Sequence, residues 1–290
     1  MFPQQSHPVY EGNSVCFVKV SVLEPTSNNT PQNGPALDSL RRELDELDNA
    51  MLGLLAQRFE VTAKVRTLKM VQDKSLMSPL RPAREAVIQR RLVALAKAHG
   101  LSPHLVMRLW RQILSQSSLE QAPVVIHASR KLCQNIAHRL RLRDHFGAFA
   151  VEEWRDEAQA LMQVNASPGD LCLVETESGW IEPYLAQQGG PAQIIGTLPA
   201  IKDQPEPKLL VIGNAPSEPT GEDETLLITK GNLPRDFAVQ PLWQVKVGSY
   251  RLSALAGFFS DRESPLVGLM RSNISLGLKV AGRYPSAFEV

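Results

Sequence analysis

Seven polar residues, five of them on helix faces that should be apolar, narrow by their types the chemistry they can serve. Apolar residues recur every three or four positions at Leu37, Leu40, Leu44, Leu47, Met51, Leu54, Val61, Val65 and Leu68. This is the pattern of a long amphipathic helix packing in coiled-coil fashion. The position left open in the series is Arg58. A charge inside such a stripe is costly unless an anion meets it, although Arg58 alone fits a seam arginine paired with an internal carboxylate equally well. Lys69 follows three turns later, so the two cations project from one face about 16 Å apart and suit opposite ends of one small molecule. Arg41 lies about 42 Å from Lys69 along the same axis, and so serves such a site only from a second protomer.

Two further helices repeat the anomaly. One is expected after Pro79 and Pro82, running through Val87, Ile88, Leu92 and Leu95 to a stop at Gly100. Arg84 and Glu85 precede Ile88 by four and three residues, on the first turn of its apolar face. The helix dipole favours an acid there but not an arginine, which predicts an anionic partner for Arg84 unless the two are a plain surface pair at a helix start. The third helix opens with Ser102-Pro103, a cap followed by proline at the first helical position. Its stripe reads Val106, Trp110, Ile113, Ser117, Gln121. The last two members are polar, which in an isolated helix signals only a solvated end. Taken together, three helices turn Arg, Lys, Glu, Ser and Gln toward what should be an apolar interior, with no nucleophile, histidine or metal ligand among them. That describes a polar pocket in a helical bundle, suited to a dianion.

The elements that must position these residues occupy less than half of the chain. Its 290 residues predict two domains of roughly 100–170 residues each. Residues 1–35, rich in Pro, Ser, Asn and Gln around a short Val15-Cys16-Phe17-Val18 run, read as a disordered leader. Residues 36–122 form the helical domain, and residues 123–290 an α/β domain, marked by runs such as Val124-Val125-Ile126 and Leu209-Leu210-Val211-Ile212 between helical segments. The fold class is therefore α followed by α/β. A first helix from Leu37 to Lys69 would be about 50 Å long, more than the rest of its domain can cover, so a partner chain is expected. Lys+Arg 31 against Asp+Glu 30 leaves a net charge of +1 and no general attraction to nucleic acid or membrane. Cys16, Cys133 and Cys172 lie far apart, which fits a reducing cytoplasm better than a disulfide framework or zinc site.

Leu37-Asp38-Ser39-Leu40-Arg41, the Leu54-Leu55-Ala56-Gln57-Arg58 run, Lys69, Arg84-Glu85 and Ser117-x-x-x-Gln121 together resemble the signature positions of the all-helical chorismate mutases. The resemblance spans Leu37 to Gln121. It implies an intertwined homodimer that converts chorismate to prephenate, in phenylalanine and tyrosine biosynthesis, by a Claisen rearrangement without cofactor or covalent intermediate. It further implies that Arg58, Arg84 and the partner protomer's Arg41 clamp the two carboxylates, and that Lys69 and Gln121 donate to the ether oxygen. Glu85 accepts from the ring hydroxyl and Ser117 assists a carboxylate. Where the family commonly has an acidic residue in the loop before Arg84, this chain has Arg81.

The order of a mutase-like segment before an α/β domain is similar to the fused chorismate mutase–prephenate dehydratases, which implies a dehydratase-like, periplasmic-binding-type fold. Glu175-Thr176-Glu177-Ser178 echoes the Glu-Asn-Ser segment of the dehydratases, and Leu278 to Pro285 resembles the close of the regulatory domains of such enzymes. Thr225-Leu226-Leu227, however, stands where their Thr-Arg-Phe falls, and the lost arginine is the group expected to hold a substrate carboxylate. A degenerate domain, either scaffold or small-molecule sensor, is the resulting expectation. Three other readings remain open: an isochorismate-pyruvate lyase, a bifunctional mutase/dehydratase, and a non-catalytic metabolite-sensing regulator. Gln121 and the long loop between Lys69 and Arg84 favour the mutase.

Overall fold

A cap, a proline or a glycine sets most limits of the helices that carry the polar positions. The computed structural model describes residues 34–72, 79–187, 190–202 and 207–289; the leader expected at 1–35, with its Val15–Val18 run, lies outside them but for its last residues. Helix α1 runs Gly34–Gln72, α2 Pro82–Ala98 and α3 Pro103–Leu119. Proline opens α2 and α3, where its missing N–H costs nothing. Ser102 Oγ accepts from the Leu105 N–H at 3.4 Å to cap α3. Beyond α2, Gly100 takes a φ of +67°, a left-handed turn that a β-carbon would oppose.

One helix end departs from expectation. Gln121 was placed on the helical stripe of α3, yet the helix stops at Leu119, and Gln121 sits just past its end. Pro123 is the physical reason, since the residue before a proline is pushed out of helical backbone.

The described residues fall into two compact units, one ending at Leu55 and the other beginning at Ala56. In the first, the apolar side chains of α1 are open to solvent in the single chain, Leu54 at 65% and Leu44 at 61%. In the second, the rest of the chain builds an α/β layer beneath α2 and α3. Its elements are β1 Val125–Ser129, α4 Arg130–Gln134, α5 Ile136–Phe146, β2 Ala150–Trp154, α6 Glu157–Ala166, β3 Leu171–Glu175, α7 Ile181–Ala186, β4 Gln193–Leu198, β5 Leu209–Gly213, β6 Asp223–Thr229, β7 Pro241–Val247, β8 Tyr250–Ala256, α8 Leu266–Ser272 and β9 Lys279–Pro285.

Among the described residues nine strands join in one mixed sheet, in the order β2-β1-β3-β5-β4-β9-β6-β8-β7. β1 lies parallel to β2 and β3, while β5 runs antiparallel to β3 and β4. The central strands are apolar throughout because both faces are covered. Cys172 and Val174 of β3 face the core that holds Ala160, Leu161 and Val164 of α6, whereas Leu171 and Leu173 face Leu142 and Phe146 of α5. Gly282 permits β9 to lie against β4, since a β-carbon there would fall on the Ile194 backbone. Two seams tie α2 and α3 to each other and to this layer: Ile88, Leu92 and Ala96 meet Val106 and Trp110, and Ala86, Val93 and Met107 meet Ala200, Ile201 and Phe288.

Candidate active site

Two helices bring three of the seven polar residues together. Arg58 of α1 donates from Nη1 to Ser117 Oγ at 2.8 Å. Ser117, buried in the last turns of α3, passes its own proton back to the Ile113 carbonyl at 2.7 Å. Gln121 Nε2 donates to the Ser117 carbonyl at 3.0 Å, which leaves the second hydrogen of its amide for another acceptor. Arg66, which the sequence reading did not single out, donates to the Glu120 carbonyl at 2.7 Å and fastens the C-terminal end of α3 to α1. Burial draws the Arg58 guanidinium below its ordinary value of 12.5, and no carboxylate among the described residues pairs with it. A half-buried cation met only by a hydroxyl is an offer to an incoming anion.

The other four positions are placed differently. Arg41 is exposed and pairs with Asp38 along its own helix at 3.1 Å, an interaction weak enough to exchange. Lys69 lies on α1, but its side chain is outside the described residues. Arg84 is exposed at the start of α2 and forms no ion pair among the described residues. Glu85, beside it, is largely buried and turns to Arg111 of α3, whose Nη1 lies 3.4 Å from Glu85 Oε2 and whose Nη2 donates to Gln89 Oε1 at 2.8 Å.

Neither Arg111 nor Gln89 was predicted. Arg111 directly follows Trp110 of the α3 stripe, and Gln89 lies one turn after Glu85, so both read as flanking positions until the two helices are set side by side. Burial raises the Glu85 carboxyl above its usual range, while Arg111 and an N–H from its own helix turn oppose the rise. Arg111 is itself brought down to about 10 by burial, against the pull of Glu85. His145, at the end of α5, is held well below 6.5 by burial and then by Arg111, so it is neutral at pH 7. Glu85, Arg111 and His145 wall a cavity of about 90 Å³ with Leu80, Thr197 and Phe288; neither Arg58 nor Ser117 lines it.

A separate crevice of about 510 Å³ opens at the carboxyl end of β3, walled by His138, Glu175, Thr176, Lys208 and Gln244. Glu175 Oε1 lies 2.9 Å from His138 Nε2, and Lys131 reaches the other oxygen at 3.9 Å. Thr225, the residue aligned with the dehydratase motif, is fully buried. Its hydroxyl donates to the Gly257 carbonyl at 2.7 Å and accepts from the Phe259 N–H at 3.0 Å. Leu226, where that motif has arginine, is core.

Residues 40–122 match the model of the family described as chorismate mutase type II. The bifunctional chorismate mutase/prephenate dehydratase of Escherichia coli strain K12 is 27% identical over 156 residues, which cover 48% of this chain and 39% of that protein. The same enzyme of Shigella flexneri aligns with the same figures. The chain thus spans well under two thirds of the length of the curated relatives it matches. Among solved structures, a prephenate dehydratase from Streptococcus mutans is 12% identical with a TM-score of 0.35, covering 58% of this chain and all of that one. A quorum-quenching acylase, GqqA, is 14% identical with a TM-score of 0.37, covering 56% of this chain and 95% of the other. No helix among the described residues is long and apolar enough to cross a membrane.

Proposed function

We propose that the helical domain, residues 36–122, is a chorismate mutase. The observation that carries the proposal is Arg58: a partly desolvated guanidinium on α1, oriented by the Ser117 hydroxyl of α3 and without an anionic partner among the described residues, within a segment that matches the chorismate mutase type II model. In this reading Arg58, Arg84 and the Arg41 of a second protomer clamp the two carboxylates of chorismate and hold its side chain over the ring in a reactive conformer. Lys69 and the free amide hydrogen of Gln121 donate to the ether oxygen. Negative charge grows there as the C–O bond breaks, so these donors bind the transition state more tightly than the ground state. Glu85 accepts from the ring hydroxyl.

The exposed apolar side chains of α1 support the second protomer, since a stripe of this length left in water marks an interface. The free, buried thiols of Cys133 and Cys172 support a reducing cytoplasm. For residues 123–290 we propose a degenerate dehydratase-like domain, a scaffold or small-molecule sensor; this is supported by the core position of Leu226 and the committed hydroxyl of Thr225. The test is a spectroscopic assay of the purified chain with chorismate and, separately, isochorismate. Prephenate formed without added metal or nucleotide is the expected result. Failure to consume chorismate overturns the reading, and release of pyruvate from isochorismate alone would reassign the pocket to a lyase.

A further inference from the structure

The proposed chemistry uses Glu85 but leaves its neighbours Arg111 and Gln89 without a role. Glu85 has Oε2 3.4 Å from Arg111 Nη1, and the N–H of Arg81 also meets its carboxylate. Arg111 is fixed from the opposite side by Gln89, a fully buried side chain whose own Nε2 has no hydrogen-bond partner. The charged and titratable groups around Glu85 are few. On α2, Arg81 turns away to Glu218 at 3.3 Å and Arg84 is exposed. From α3 comes Arg111, and from α5 comes His145, which is neutral. The β4 residue Thr197 and the chain segment with Ser286 and Phe288 bring no charge to the cavity wall.

We infer that Arg111 is a positioning residue for Glu85: its guanidinium is the counter-ion that holds this carboxylate ionised in a mostly buried place. The inference rests on the reading of Glu85 as the acceptor for a substrate hydroxyl. An ionised carboxylate accepts with both oxygens, whereas a protonated one is partly a donor and loses that role. Burial alone favours the protonated form, and Arg111 is the cation in contact that opposes it. Gln89 completes the device by fixing Arg111 through a neutral oxygen, so that no second carboxylate competes for the guanidinium.

The sign of the pH effect follows. Turnover that needs ionised Glu85 falls as pH drops through the carboxyl's titration, and removing Arg111 moves that fall to higher pH. The experiment compares the full-length chain with its Arg111→Met and Arg111→Lys variants, reading kcat/KM for chorismate across pH and titrating the Glu85 carboxyl by carbon-13 NMR. In Arg111→Met the drop in kcat/KM from alkaline to mildly acidic pH should be roughly tenfold greater than in wild type, and the Glu85 titration should move in the same sense. Arg111→Lys should restore both toward wild type. A carboxyl that titrates identically in wild type and Arg111→Met overturns the inference, as does an unchanged pH profile. If wild type does not turn over chorismate, the mutase reading fails separately, and the NMR titration still decides whether Arg111 governs Glu85. Should Arg111→Met not fold, Arg111→Lys with Glu85→Gln carries the test: Glu85→Gln should remove the acid limb, and its persistence rejects the proposal.

Discussion

Arg58 donates to a hydroxyl rather than a carboxylate, and this choice of partner suits the anion-binding role proposed for it. A buried arginine already neutralised by an acid has little left to give a substrate, whereas one oriented by Ser117 keeps its charge available. The same reasoning applies to the donors expected at the ether oxygen. Lys69→Ala and Gln121→Ala should each lower kcat/KM by on the order of 10² or more, the usual cost of losing one preorganised donor to developing charge; steady-state assays at pH 7.5 measure this, and near-wild-type rates would remove either residue from the site. His145 gives a prediction about stability. Its folded pKa lies well below 6.5 because burial disfavours the imidazolium, so between those values the unfolded chain binds the extra proton and folding weakens as pH falls. The urea midpoint should therefore drop between pH 7.5 and pH 5.5, and His145→Gln should flatten that dependence.

At the scale of elements, α1 is the outlier. A helix whose apolar residues are exposed along its length is marginal by itself, because a helix in a protein owes most of its stability to the face it buries. In the proposed dimer a second α1 of the same sequence would supply the complementary stripe. Leu47→Lys, placed within that stripe at 56% exposure in the single chain, should shift the protein toward monomer in analytical ultracentrifugation and reduce activity together with dimer content. The shared site has its own test. Arg41→Ala and Lys69→Ala homodimers should each be nearly inactive, yet mixing and refolding them should recover roughly a quarter of wild-type activity, since about half the dimers are mixed and each carries one intact site. A mixture as inactive as its parents, with subunit exchange demonstrated, would assign Arg41 to its own chain or to no site.

For the larger unit as a whole, the informative contact is the seam of Ala86, Val93 and Met107 with Ala200, Ile201 and Phe288. The α2–α3 pair rests one apolar side on this seam, which ties it to the α/β layer. Phe288 lies near the end of the described chain and is 8% exposed. Phe288→Ala should lower the unfolding free energy by about 3 kcal/mol, the ordinary cost of emptying such a site, measured by urea denaturation. The loss should appear in one transition if α2 and α3 unfold with the sheet, and in two if they do not.

What the sequence determined by itself is what periodicity and local chemistry encode. The three helices, their start at Ser102-Pro103 and stop at Gly100, the change to strands after Pro123, and the polar departures at Arg58 and Ser117 all follow from side chains read against a 3.6- or two-residue repeat. Tertiary structure alone decided which polar groups meet. Arg58 and Ser117 are 59 residues apart and bond directly, while Glu85 turns to an arginine 26 residues away that lies off every predicted stripe. Sequence spacing fixes the angle at which a residue leaves its own helix but not the rotation of one helix against another, and that rotation was set by packing of α2 and α3 on the β-sheet layer. Pro123 ended α3 before Gln121 for a local reason that was legible, and the amide it left on the Ser117 carbonyl was a tertiary outcome only in its direction. The pairing of Arg111 with Glu85 had no local signal, because a flanking arginine looks like solvated surface until α3 is set beside α2 and buries it against that carboxylate.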